Sequence, residues 1–386
     1  MGEKITKNNE LLEQINEKKK FIFFAIIIFL IMYLWYLLSP KKRLIKTLGN
    51  IENISKFVSI NSTLNSEKDR ELKLCDFYIC SAYRPYLIKN QYLDYLDLEM
   101  VKRYLKFGVR CMYIDVYNSN LTETADPIIA VGFKSGQWKL SLNTILFDDF
   151  CKLIAISAFS SGFVNNPNDP FLLLINLNTQ GNLKTLNKMK KIIYRRFKKY
   201  LLNNSFTYSQ KNIGEIKVKN LMRKIIIITS GGYENSDLEE LINHSWDKDH
   251  IKKISYKSLD PNINDTNVIK LDSNELQKIN KHNLTIVVPE EFSLFSYNYE
   301  PEYFWKSGCQ CVCVNYQIVD TFLNSYITKF RNDSFVKKDP RLITKEVVNK
   351  NNIKLKKSIV KPVSSPYTDD IPNCPLKPCE SFINYY

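Results

Sequence analysis

The chain has 386 residues, a net charge of +15 and an apolar content of 44%, room for one large domain or two ordinary ones. Its nine cysteines are scattered, form no CxxC pair and show no zinc spacing, which excludes a cysteine-ligated zinc module. The basic residues are dispersed and accompany no stacking motif or recognition helix, which argues against a nucleic-acid partner; a Lys-, Asn-, Ile- and Tyr-rich codon bias accounts for the charge, and attraction to anionic lipid is its functional reading.

Residues 1–20 are polar and end in Lys18, Lys19 and Lys20. Residues 21–38, FIFFAIIIFLIMYLWYLL, carry neither charge nor breaker. As a helix they extend roughly 27 Å, near the thickness of a bilayer core. Tyr33, Trp35 and Tyr36 gather at one end as interfacial aromatics do. Ser39-Pro40-Lys41 offers no good cleavage site, so the stretch reads as an uncleaved single-pass membrane anchor. Basic residues on both flanks set no orientation. Residues 39–73 are polar and weakly periodic and read as a stalk, the alternative being a helix that packs on the domain.

Strand and helix patterns then alternate. Cys75–Ser81, Val109–Val116, Ile128–Gly132, Pro170–Leu177, Ile225–Thr229, Ile254–Ser258 and Leu284–Val288 read as strands. Tyr92–Phe107, Leu140–Phe163, Leu183–Leu202, Ser273–Asn280 and Gln317–Lys329 read as helices. In Glu300–Gln317, EPEYFWKSGCQCVCVNYQ, an aromatic turn closes at Gly308, and Cys309, Cys311 and Cys313 then alternate with Gln310, Val312 and Val314. This is an eighth strand, its three cysteines on one face as small buried hydrophobes. Eight strands alternating with helices predict a TIM-like (β/α)8 barrel. It divides at a loop-rich bridge, 231–253, into halves at 74–230 and 254–343. A tail, 344–386, follows; its Cys374 and Cys379 would pair only in an oxidising compartment.

The stretch Tyr297–Asp320, YNYEPEYFWKSGCQCVCVNYQIVD, resembles the Y box of eukaryotic phosphoinositide-specific phospholipase C, of the form YNPxxFWNxGCQMVALNFQTxD. The first half is similar, more loosely, to that family's X box. CSAYRPYL at Cys80–Leu87 stands for SSHNTYL, and GVRCMYIDVYNS at Gly108–Ser119 for GCRCVELDxWDG. PIIAVGFKS at Pro127–Ser135 stands for PxIYHGHTLT, and PFLLLINLN at Pro170–Asn178 for PVILSLENHC. The resemblance implies a calcium-dependent phosphodiesterase in which two histidines act on phosphorus. An Asn, two Glu and an Asp hold the ion.

Carried over by position, the first histidine falls on Tyr83 and the second on Val131. The ligand positions fall on Arg84, Tyr113, Asp115 and Asn176. Asp115 alone is unchanged. The three histidines of the chain, His244, His250 and His282, lie in the bridge or the second half and read as solvated loop residues. Arg84 would place a permanent cation where a divalent ion belongs, and beside Asp115 it would form an ion pair; Asp115 bonded to backbone amides is the structural alternative. The family's inositol-phosphate cations are reduced to Arg84, Lys134 and Lys278 as candidate substrate-binding groups. No cofactor is expected, because the calcium ligand set is degraded. The leading reading is a membrane-anchored pseudoenzyme that binds a lipid headgroup or a protein partner. One alternative is an active phosphatidylinositol hydrolase rebuilt around Tyr83 and Tyr113; another is a structural membrane scaffold.

Overall fold

The computed structural model describes residues 2–37, 39–55, 58, 60, 64, 66–120, 126–207, 211–259, 270–291 and 295–344. The tail, with Cys374 and Cys379, lies outside the described residues from 345 onward. Helix α1 (Gly2–Leu37) runs unbroken through the polar start and the apolar stretch. From Phe21 to Trp35 its apolar side chains are uncovered, Phe21 being 78% and Trp35 80% exposed. No single helix among the described residues is long and apolar enough to cross a membrane. The apolar helix and α2 (Pro40–Ser55), bent by 52°, meet that test of length and composition only as a pair. The fold alone therefore does not establish the anchor expected over 21–38.

The stalk expected over 39–73 is in part a docked helix. Leu44, Leu48 and Ile51 of α2 pack on the domain core, a stripe at helical spacing among charged neighbours. Arg43 meets Asp94 at 2.6 Å, and Glu52 meets Arg103 at 2.6 Å. A short α3 (Glu67–Arg70) follows, capped by Ser66.

The domain then runs β1 (Phe77–Ile79), β2 (Ser81–Tyr83), α4 (Leu98–Lys106), β3 (Cys111–Asn118), β4 (Pro127–Ile129), β5 (Ile145–Leu146), α5 (Phe147–Ser157), β6 (Phe171–Asn178), α6 (Leu183–Phe197), β7 (Ile225–Thr229), β8 (His244–Ser245), β9 (Ile251–Ser255), α7 (Ser273–Ile279), β10 (Leu284–Val288), α8 (Glu302–Lys306), β11 (Cys311–Val314), α9 (Thr321–Lys329) and β12 (Phe335–Lys337). The strands of the barrel lie in the order β8-β7-β6-β3-β2-β11-β10-β9, every neighbouring pair parallel. The barrel nearly closes, with its seam between β8 and β9. Strands β1 and β12 form a separate antiparallel pair.

The expected total of eight strands holds, but two members change: Cys75–Ser81 falls mostly on β1, off the barrel, and β2 takes its place. Ile128–Gly132 supplies β4, which pairs antiparallel with β3 and β5 off the barrel. The missing strand is β8, only His244 and Ser245 long, too short and polar to leave a periodic signal. The bridge over 231–253 thus contains one barrel strand and the start of another, since β9 begins at Ile251 rather than 254. Helices α4 and α9 start later than the apolar pattern suggests, where Asp97 and Asp320 accept backbone N–H groups as caps.

Alternation along the strands builds two cores. Ile226 and Ile228 of β7 face the barrel interior with Leu172, Leu174, Cys111, Cys311 and Cys313, while Ile225 and Ile227 face the helices. Burial on both faces explains the unbroken apolar runs. Cys309 does not share a face with Cys311 and Cys313. It precedes the strand and joins the outer core, because Gly308 reverses the chain with φ at +76°.

At the barrel floor Lys338 is buried, its ammonium donating to the Asn280 carbonyl at 3.2 Å. Burial lowers its pKa from 10.5 to about 8, with Cys75, Cys309 and Asp76 opposing that shift. Between these values the unfolded chain holds the proton and the folded chain does not. Stability from this group therefore rises as pH climbs from about 8 towards 10.5, by roughly 3 kcal/mol in all. Lys338→Met is expected to remove that slope. Urea denaturation of both proteins at pH 8 and pH 10 checks this: the variant's advantage should be large at the lower pH and shrink at the higher one.

Candidate functional site at the strand ends

In a parallel barrel the C-terminal strand ends carry the chemistry. Here β2 ends at Tyr83, and Arg84 follows in a left-handed backbone conformation, φ +41°. Arg84 Nε donates to Asp115 Oδ2 at 2.5 Å, and its Nη1 donates to Gln91 Oε1 at 2.7 Å. Asn176 of β6 lies in register with Asp115 of β3, and its Nδ2 donates to Asp115 Oδ1 at 2.7 Å. Arg84 is 2% exposed and Asp115 0%. Burial works against the charge on Arg84, but the Asp115 carboxylate outweighs it and raises the guanidinium above its ordinary pKa. The pairing expected from the sequence is present, and the Asp115 carboxylate is held by side chains rather than by backbone amides.

An aromatic stack covers the neighbouring mouth. Tyr83 lies on Tyr113 with ring centres 5.2 Å apart, and Tyr113 lies on Trp246 at 5.8 Å. Burial raises both phenols well above their ordinary pKa, the wrong direction for a base near neutrality. The Tyr83 hydroxyl is buried without a hydrogen-bond partner among the described residues. Val131 packs in the outer core with its N–H donating to Ser141 Oγ at 3.2 Å; its side chain has nothing to titrate.

Lys134 lies on the rim, 3.7 Å from Glu291, which also meets Lys253 at 2.9 Å. Burial raises the Glu291 pKa, yet Lys253, Lys134 and Arg84 together hold it below the usual carboxylate range. The Lys253 ammonium also lies 5.7 Å from the Tyr113 ring and 5.4 Å from the Trp246 ring. The structure thus gathers Arg84 and Lys134 around Glu291 but not Lys278. That residue is in the last turn of α7, which leads into the start of β10 at the opposite end of the barrel. Sequence reasoning missed Gln91, Trp246, Lys253 and Glu291. Glu290 and Glu291 stand directly after β10, where barrel chemistry collects, and that position was the available signal.

The histidines differ from expectation in one case. His244 is buried on β8 with its ring 6.0 Å from that of His250, and burial lowers its pKa. It is not a solvated loop residue, because β8 draws it into the sheet. His282 pairs with Glu215 at 2.7 Å, away from the mouth.

Calcium takes six or more oxygen ligands, and these residues do not fit it. Where the resemblance carries ligands over, Arg84 presents a guanidinium and Tyr113 a stacked phenol, and Asn176 turns its amide NH₂ towards Asp115. Both Asp115 oxygens are engaged. Among the described residues no group of three or more His, Cys, Asp or Glu side chains is placed to hold a metal.

Comparison with known proteins agrees with the fold. Residues 71–230 match the model of the phosphatidylinositol-specific phospholipase C X domain, and residues 236–340 that of the Y domain. The 1-phosphatidylinositol 4,5-bisphosphate phosphodiesterase delta-3-A of Danio rerio is 22% identical over 298 residues, 65% of this chain and 36% of the relative. The eta-2 enzyme of Mus musculus is 38% identical over 53 residues, 14% of this chain and 4% of the relative. The chain thus spans about a third of the first relative's length and far less of the second's. Among solved structures, PLC21 of L. pealei superposes with a TM-score of 0.55 at 19% identity, over 70% of this chain and 38% of that one. PLC21 of S. officinalis gives 0.54 at 19% identity, over 70% and 37%. With the two domain models covering more than half of it between them, the chain belongs to the phosphatidylinositol-specific phospholipase C family.

Proposed function

We propose that this protein is a membrane-anchored, non-hydrolytic member of its family, which keeps the barrel and binds a lipid headgroup or a protein partner at the membrane surface. The observation that carries this reading is the buried Arg84–Asp115–Asn176 cluster. It fills the place where the family's ion would sit with a cation that belongs to the chain. Raised phenol pKa values at Tyr83 and Tyr113 count against a rebuilt acid–base pair. The uncovered apolar side chains of Phe21–Trp35 support membrane association. Lys41 and Lys42 just beyond them suit an anionic surface.

Calcium tests the reading. A ligand held by the folded chain stabilises it by mass action, by about 2.7 kcal/mol at a hundredfold excess over its Kd. The melting temperature of the full chain is expected to be the same in chelator and in millimolar calcium. A rise in calcium that Asp115→Asn abolishes would favour the family's metal-dependent mechanism instead.

A further inference from the structure

A cleft of about 600 Å³ opens between α2 and the barrel, lined by Lys42, Arg43, Lys46, Asn50, Lys89 and Gln317 among others. Its basic groups are not equivalent. Arg43 is neutralised by the buried Asp94, whereas Lys46 and Lys89 are exposed and meet no carboxylate among the described residues. At the floor Gln317 is 6% exposed. Its Nε2 donates to Ser296 Oγ at 3.5 Å and to Asn315 Oδ1 at 3.3 Å, while its Oε1 is buried with no hydrogen-bond partner among the described residues. A buried acceptor without a donor is uncommon in a folded protein. Cations at the rim and an unpaired acceptor at the floor are the chemistry of an anion that also carries a hydroxyl.

We propose that this cleft binds the headgroup of an anionic phospholipid whose alcohol bears hydroxyls, the phosphate lying on Lys46 and Lys89 and a hydroxyl donating to Gln317 Oε1. The source is a bilayer because of what adjoins it. Helix α2 starts at Pro40, just past the exposed apolar run of α1. Lys46 is only about 9 Å further along its axis. The site is separate from the Arg84–Asp115 mouth, and it rests on the membrane-anchored reading.

The test uses the full chain reconstituted in vesicles of phosphatidylcholine alone, or with phosphatidylglycerol or phosphatidylmethanol added. The last is an anionic phosphodiester without a free hydroxyl. Amide exchange over Thr47–Asn50 is the readout. Phosphatidylglycerol is expected to slow exchange about tenfold or more relative to phosphatidylcholine, and phosphatidylmethanol about fivefold less strongly. The exposed pair Lys46→Glu and Lys89→Glu should abolish both effects with the chain still embedded, and Gln317→Leu should make the two anionic lipids equivalent. Equal exchange in all vesicles with the chain embedded would overturn the cleft and leave the anchor standing. A chain that floats with no vesicle would overturn the anchor, and the lipid assignment with it. Protection by soluble glycerol phosphate equal to that by phosphatidylglycerol would overturn the bilayer as the source.

Discussion

Arg84→Ala is expected to destabilise the protein by about 3–5 kcal/mol, a cost typical of leaving a buried charge uncompensated. The Asp115 carboxylate would then retain only Asn176 as a side-chain donor among the described residues, in a site with no exposure to water. Asp115→Ala should cost a similar amount from the other side, because Arg84 is equally enclosed and keeps only Gln91. The double variant Arg84→Ala/Asp115→Ala should lose less than the sum of the single changes, with a coupling of about 2 kcal/mol. Urea denaturation of the four proteins measures this. An exposed surface pair would show coupling below about 1 kcal/mol, and that outcome would contradict a sealed mouth.

The second large effect is on the membrane. Phe29→Lys with Met32→Lys places two charges in the middle of the apolar stretch, at about 2.5–3.5 kcal/mol each on an insertion scale. Membrane partitioning should fall by roughly a thousandfold or more. In alkaline carbonate extraction the native chain should stay in the pellet and the double variant should move to the supernatant. If both stay in the pellet, α1 is not the anchor. If both are soluble, Phe21–Trp35 is covered by a partner instead.

The elements that could be read from the residues were those whose signal is local. Strands β7 and β10 match their expected bounds because IIIIT is β-branched throughout and LTIVV is so after its leucine. The pairing of Arg84 with Asp115 was equally visible, since it needs only the order of the strands. Other features depended on partners far along the chain. Helix α2 looked like a stalk because its apolar stripe is narrow, and it is held by ion pairs to Asp94 and Arg103. Strand β8 exists because it lies against β7, not because of its own two residues. Placing β9 three residues late hid Lys253, whose alternation with Ile251 points it into the mouth beside Tyr113. Lys278 was assigned to the phosphate site from a helical stretch that the fold sets at the other end of the barrel.

The proposed function has the barrel exchange its ion for an internal ion pair and cleave no phosphodiester. Its most direct test is the release of soluble inositol phosphate from phosphatidylinositol vesicles carrying the full chain in millimolar calcium. The expected rate equals that of vesicles without protein, at neutral pH and with Arg84→Asn alike, since Tyr83 and Val131 still supply no acid. Release above that background, lost on Asp115→Asn in a variant that remains folded, would contradict the account.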